Sequence, residues 1–253
     1  MLALMLKEER LNFILNEVKV RNRVLLFDIA DKLNVSEDTV RRDLKHLDEQ
    51  GMIKKVHGGA VSNSFHVYSY SEKDIYAHAD KSLIARKAIS LIKEEQVILM
   101  SGGTTNLELA RLMPDHMHLT IFTPSLPVAM QLLEHPSIET IFVGGRLSHD
   151  AQIALGGDTL NTLAQVKADI CFLGTGYLDV SDGLTEFDWE VVQLKKSMIK
   201  SSRKVVALTI SEKLNSSQRF KVCEPSSIHT LITELPADNP LLSQFRNAGL
   251  EIY

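Results

Sequence analysis

The strongest constraint on this chain is the alternation of short apolar runs with amphipathic stretches from Lys81 to Tyr253. The strand-like runs are Val97–Met100, Leu119–Phe122, Thr140–Val143, Ile170–Leu173, Val205–Thr209, Thr230–Thr233 and Leu250–Tyr253. Helical patterns lie before or between them at Ser82–Lys93, Leu107–Met113, Leu126–Leu133, Glu186–Ser201 and Leu241–Asn247. Short buried strands joined through helices pair in parallel, because a parallel connection needs a crossover that a tight hairpin cannot supply. The fold class is therefore α/β, with a mostly parallel sheet over residues 81–253.

The first sixty residues follow a different rule. Leu11, Ile14, Leu15 and Val18 recur at helical spacing. Val24-Leu25-Leu26 then leads into a second helix holding Ile29, Ala30 and Leu33. Asn34 can end that helix in the left-handed conformation, which its short polar side chain tolerates. Ser36 is placed to cap a third helix, with Glu37 and Asp38 favourable against its N-terminal dipole. Val40, Leu44 and Leu47 form the buried stripe, and Gly51 closes the helix. Two extended pieces around Gly58-Gly59 complete a hairpin. These features predict a winged helix-turn-helix over residues 1–61, a polar linker over 62–80 rich in Ser, His and Tyr, and the α/β domain over 81–253.

Charge agrees weakly with a nucleic-acid-binding head. The chain has 253 residues and a formal net charge of −4, yet residues 1–60 carry 11 basic and 10 acidic side chains. Cys171 and Cys223 are far apart, which removes a thiolate zinc site and a disulfide scaffold, and no HxxxH or HExxH pattern supports metal chemistry. Neither a metal nor a cofactor is expected. The apolar runs are far shorter than the roughly 20 residues that span a bilayer. Apolar Met1–Leu6 precedes acidic Glu8 and Glu9 with no small-residue cleavage site, so a cytoplasmic location without membrane contact is expected.

The stripe Val40/Leu44/Leu47 leaves Thr39, Arg42 and His46 outward, with Ser36 at the helix start and Arg41 and Lys45 flanking. Such a helix end can enter a major groove, where arginine bonds guanine bidentately. Lys54, Lys55 and His57 are placed to meet phosphates of double-stranded DNA. Glu37, Asp38 and Asp43 are expected to weaken nonspecific affinity. Protein contact through a three-helix module is the other reading of the same spacing.

In the α/β region, Gly102, Gly103, Thr104 and Thr105 follow one strand and open a helix, and Thr123 and Ser125 follow the next. Gly144-Gly145 and Gly174-Thr175-Gly176 are read as strand-to-helix loops of the same kind. Main-chain N–H groups at such helix starts bind anions, so a phosphorylated polar ligand is expected at one sheet edge. Lys195 can meet its charge, although a lysine on an amphipathic helix is more often solvated.

Thr39-Val40-Arg41-Arg42-Asp43-Leu44, then Gly51 and His57-Gly58-Gly59-Ala60, resembles the DeoR family of bacterial transcription regulators. Gly103-Thr104-Thr105, Ser125-Leu126, Gly144-Gly145, Gly183-Leu184-Thr185, Glu190, Lys195 and Met198 resemble the family's sensor domain, which is similar in fold to ribose-5-phosphate isomerase. The resemblance implies a DNA-binding repressor of carbohydrate genes, controlled by a phosphorylated metabolite and acting as a homo-oligomer on paired half-sites. Four positions depart from the family pattern: Asn22, Ser101, Pro124 and Thr209. The last three remove polar groups from the sensing loops and point to a different or weaker effector. The alternative is a sugar-phosphate isomerase with a helical appendage, using Lys195 and Glu190.

Overall fold

The computed structural model describes residues 5–21, 23–62, 75–149 and 151–253, and it divides into two units, up to Tyr76 and from Ala77 onward. Asn22 and residues 63–74 of the expected linker lie outside the described residues.

The first unit contains α1 (Lys7–Arg21), β1 (Arg23–Leu25), α2 (Leu26–Leu33), α3 (Glu37–Glu49), β2 (Lys54–Val56) and β3 (Gly59–Val61). Asn34 turns the chain out of α2 at φ 50° and ψ 48°. Val35 N–H then donates back to the Ala30 carbonyl at 3.0 Å, which satisfies an orphan carbonyl of the last turn. Ser36 accepts the Thr39 N–H at 3.3 Å and starts α3, while Gly51 at φ +68° ends it. Val40, Leu44 and Leu47 are buried against Ile14, Val18, Val24 and Ile29. The strands pair antiparallel in the order β1-β3-β2, so the segment leading into α2 becomes the third strand of the wing. Gly59 is required there, since a Cβ would stand 1.9 Å from the Val24 carbonyl oxygen.

The second unit runs α4 (His78–Ile89), β4 (Val97–Met100), α5 (Thr104–Arg111), β5 (Leu119–Thr123), α6 (Leu126–Leu132) and β6 (Ile138–Phe142). It continues with β7 (Arg146–Leu147), β8 (Ala154–Leu155), α7 (Gly157–Ala164), β9 (Ala168–Gly174), β10 (Tyr177–Asp179) and β11 (Gly183–Glu186). Last come α8 (Trp189–Lys200), β12 (Ser202–Leu208), β13 (Phe220–Cys223), β14 (Thr230–Ile232), α9 (Ser243–Asn247) and β15 (Glu251–Ile252). The seven runs read from the sequence form one sheet in the order β15-β14-β12-β9-β4-β5-β6, with every neighbouring pair parallel. Ile98, Leu99 and Met100 are all fully buried, as expected for a central strand covered on both faces.

The structure adds elements that periodicity did not disclose. One is a three-stranded antiparallel sheet, β10-β11-β13, and another the two-stranded β7-β8. Their strands are two to four residues long, too short for an alternating pattern to register. Helix α7 buries only Thr159 and Leu163 and so has little apolar face to read. Helix α4 starts at His78, inside the stretch read as linker, so Lys81 belongs to a helix.

A reading helix and a sheet-edge crevice

The outward face of α3 is built by its capping. Ser36 and Thr39 share a hydroxyl–hydroxyl bond of 2.9 Å at the helix start, fixing the residues nearest to any groove. Arg42 is exposed and donates through Nε to the Asp38 main-chain carbonyl at 3.3 Å. Arg41 pairs with Asp38 and reaches Glu37 at 4.0 Å, while Lys45 meets Glu49 at 3.6 Å. Exposed pairs of this kind contribute only about 0–1 kcal/mol, so a phosphate can displace the carboxylate. On the hairpin, Lys55 and His57 are exposed and Lys54 is half-buried. The Lys55 N–H donates to Asp48 at 2.8 Å and ties the strand to the end of α3.

One acidic residue is placed differently from the sequence expectation. Asp43 is buried and takes a bidentate contact from Arg10 on α1, at 2.5 and 3.1 Å. That hydrogen bond holds the Arg10 guanidinium above its ordinary pKa. Asp43 therefore locks α1 to α3 and does not oppose DNA from the outward face. Its helical position, three residues after Val40 and next to Leu44, puts it on the buried stripe.

In the second unit, the chain moves from β4 outward through β5 to β6, then returns to lay β9 on the other side of β4. This reversal opens the crevice in which doubly wound sheets bind ligands, outside the carboxyl ends of the strands. Ser101, Gly102 and Gly103 follow β4 here and Gly174 ends β9. Ser101 Oγ accepts from Gly174 N–H at 2.9 Å and from Asn106 Nδ2 at 3.0 Å, and donates to the Gly102 carbonyl at 3.2 Å. Gly174 stays close because it has no Cβ; one would stand 2.7 Å from the Gly102 carbonyl oxygen. Gly103 sits at φ +106° before α5, and no side chain caps that helix. Thr104 and Thr105 are buried in its first turn. The helix therefore presents main-chain N–H groups at the crevice, the arrangement that favours an anion.

The remaining loops divide. Thr123 and Ser125 do connect a strand to a helix, but Thr123 Oγ1 accepts the Ser125 N–H at 3.1 Å and shapes the turn. Gly144-Gly145 and Gly174-Thr175-Gly176 do not precede helices; they lead into β7 and β10, whose Arg146-Leu147 and Tyr177-Leu178 extend the chain. The Gly144 carbonyl accepts Thr159 Oγ1 at 2.8 Å, and a Cβ on Gly145 would collide with the same hydroxyl. That pair of glycines packs α7.

Lys195 is neither solvated nor reaching outward. It is buried, donates to the Gly174 carbonyl at 2.8 Å and pairs with Glu186 on β11. Glu190 is exposed and pairs with Arg146, so the two residues considered for isomerase chemistry do not meet. Thr209 turns its hydroxyl onto the Ile210 carbonyl at 3.2 Å, and Ser211 is held by Glu234 through both N–H and hydroxyl.

Three buried charged groups lie outside the expected site residues. Lys213 is buried with its ammonium 3.5 Å from the Thr175 carbonyl. Lys81 is 1% exposed; burial pushes its pKa down to about 8, against the opposing pull of Asp80 and Glu212. Its spacing to Ile84, Ala85 and Ala88 marks the buried face of α4 once the helix start is known. Glu108 is a buried carboxylate on α5 that accepts from Ser82 at 2.5 Å and contacts His78 Nε2 at 3.1 Å on α4. Among the described residues no cluster of His, Cys, Asp and Glu could hold a metal ion, and no helix is long and apolar enough to cross a membrane.

Comparison with known proteins covers both units. Residues 10–65 match the family described as the DeoR-like helix-turn-helix domain, and residues 77–235 match the DeoR C terminal sensor domain. The HTH-type transcriptional regulator GolR of Listeria innocua is 31% identical over 96% of this chain and 97% of that protein. The HTH-type transcriptional repressor GlcR of Bacillus subtilis is 30% identical over 98% and 96%. The glycerol-3-phosphate regulon repressor of Escherichia coli is 30% identical over 92% of each chain. Among solved structures, ribose 5-phosphate isomerase A of Methanocaldococcus jannaschii is 18% identical over 57% of this chain and 55% of that one, at a TM-score of 0.40. A likeness that slight carries no argument about activity.

Proposed function

The chain belongs to the DeoR family of transcriptional regulators, and from that premise we propose that it represses carbohydrate-metabolism genes until a phosphorylated sugar or related metabolite binds its second unit. It is a DNA-binding regulator and not an isomerase, and the separation of Lys195 from Glu190 agrees with that. The reading set is Arg42 with Ser36 and Thr39 at the groove, flanked by Arg41 and Lys45, while Lys54, Lys55 and His57 meet phosphates. The effector's anion is assigned to residues 102–105 at the start of α5. Thr123, Ser125, Gly174, Gly176 and Lys195 shape the crevice around it. Paired half-sites require a homo-oligomer, acting in the cytoplasm where the DNA is.

The observation that carries this reading is the uncapped start of α5 at the reversal between β4 and β9, in a chain whose other unit exposes Arg42. The test is selection of bound genomic fragments by the purified chain, repeated with individual sugar phosphates. A recovered motif with two half-sites, whose retention changes with one sugar phosphate, is expected. Enrichment of no sequence removes the operator assignment. A motif indifferent to every sugar phosphate removes the effector assignment alone.

A further inference from the structure

Asn106 is fully buried in the first turn of α5, between the ends of β4 and β9. Its Nδ2 donates to Ser101 Oγ at 3.0 Å and to the main-chain carbonyls of Gly102 and Phe172, each at 3.3 Å. Those two carbonyls fix the amide orientation, since turning it over would set oxygen against oxygen twice. The buried Oδ1 then has no hydrogen-bond partner among the described residues. Several donors around it are engaged elsewhere. The Ser101 hydroxyl donates to the Gly102 carbonyl, the Gly174 N–H to Ser101, and the Lys195 ammonium to Gly174 and Glu186. Buried acceptors are almost always paired, so one left open at a ligand crevice implies that the donor arrives with the ligand.

We propose that Asn106 Oδ1 is a specificity-determining acceptor of the effector crevice, receiving a hydrogen bond from a hydroxyl of a sugar phosphate whose anion lies at the start of α5. This rests on the effector assignment above and adds what selects among phosphorylated compounds. Phosphate affinity alone comes from main-chain N–H groups and does not distinguish one sugar phosphate from another. Ser101 Oγ already accepts from Gly174 and Asn106, so it contributes no acceptor, and Asn106 supplies one in its stead. Because the amide is neutral, it does so without adding a negative charge beside the anion, as a carboxylate would.

Calorimetry on the full chain with pentose and hexose phosphates, each beside its monodeoxy congeners, tests this. For the tightest-binding sugar phosphate, loss of one particular hydroxyl is expected to weaken binding roughly tenfold, the usual size for a hydrogen bond at a buried partner. In Asn106→Leu the two congeners should bind within about twofold of each other, whatever the change in overall affinity, because the cycle isolates the pair from structural effects. Asn106→Asp retains an acceptor, so it should still favour the hydroxyl compound while binding both congeners more weakly. Discrimination that survives Asn106→Leu overturns the proposal, as does equal binding of every congener by the unaltered chain. Should Asn106→Leu fail to fold, loss of discrimination in Asn106→Asp overturns it instead. Binding of no sugar phosphate at all by the unaltered chain overturns the effector assignment, and this proposal with it.

Discussion

The two units treat charge in opposite ways. On α3 and its hairpin the cations stand in solvent: Arg41, Arg42, Lys45, Lys55 and His57 are all exposed. In the second unit, Lys81, Lys195 and Lys213 are all at least nine-tenths buried. A long polyanion can be met only by accessible charge, and its counterions leave as it binds. A small anion is better held where water is excluded and each interaction is electrostatically stronger. The cost is that these ammonium groups are held desolvated in the folded chain. The first unit can therefore lose surface charges with little effect on stability, whereas the second cannot change its buried ones without consequence. Within the first unit Asp43 is the exception, a buried acid among exposed charges.

That exception offers the largest effect. Removing Asp43 leaves the half-buried Arg10 guanidinium without its partner, and losing a charged, partly buried hydrogen-bonded pair costs up to about 3 kcal/mol. Asp43→Ala should therefore lose up to about 3 kcal/mol in urea unfolding followed by circular dichroism. Asp38→Ala, which breaks an exposed pair, should stay within about 0.5 kcal/mol. Equal losses would show that exposure does not separate the two acids.

The same division explains what was legible in the sequence. The seven strands of the sheet, the Asn34 turn, the Ser36 cap and the stripe Val40/Leu44/Leu47 are set by local periodicity and capping, and the structure places them within a few residues of expectation. Exposed cations opposite a buried stripe follow from the same geometry. The crevice is a different matter. Ser101, Asn106, Phe172 and Gly174 meet only because β9 lies beside β4, a pairing made across about seventy residues. No window of sequence contains it. Asp43 was misplaced because a carboxylate reads as polar wherever it stands, and only the α1–α3 contact shows its partner. Loops 144–145 and 174–176 were misread for a related reason: glycine marks a turn but leaves open whether a helix or a strand comes next.

Lys81 sharpens the comparison from the other unit. Its folded pKa of about 8 lies below the ordinary 10.5, so between these values the unfolded chain binds more protons. Stability should then rise as pH increases from about 8 to 10.5, and the charging cost is present in full below 8. Lys81→Met removes that cost, and the two carboxylates that act on the ammonium, Asp80 and Glu212, are not buried. The variant should gain on the order of 2 kcal/mol at pH 7 and nothing at pH 10.5, measured by urea unfolding at both values. A loss of stability at pH 7 would mean that the ammonium is held by contacts stronger than its desolvation.

Arg42 and Lys55 complete the series on the exposed side. Arg42→Ala should weaken binding to the selected operator by about 1–3 kcal/mol while leaving binding to unrelated DNA nearly unchanged, if the guanidinium reads a base edge. Lys55→Ala should give the smallest effect and a different signature. A phosphate contact is indifferent to sequence, so its loss should lower affinity equally on operator and competitor DNA. It should also reduce the slope of log affinity against log salt by about one counterion. Filter binding across a salt series separates the two variants, because only a base contact changes the ratio of specific to nonspecific affinity. If Lys55→Ala alters that ratio and leaves the salt slope alone, the wing reads sequence and the recognition surface extends beyond α3.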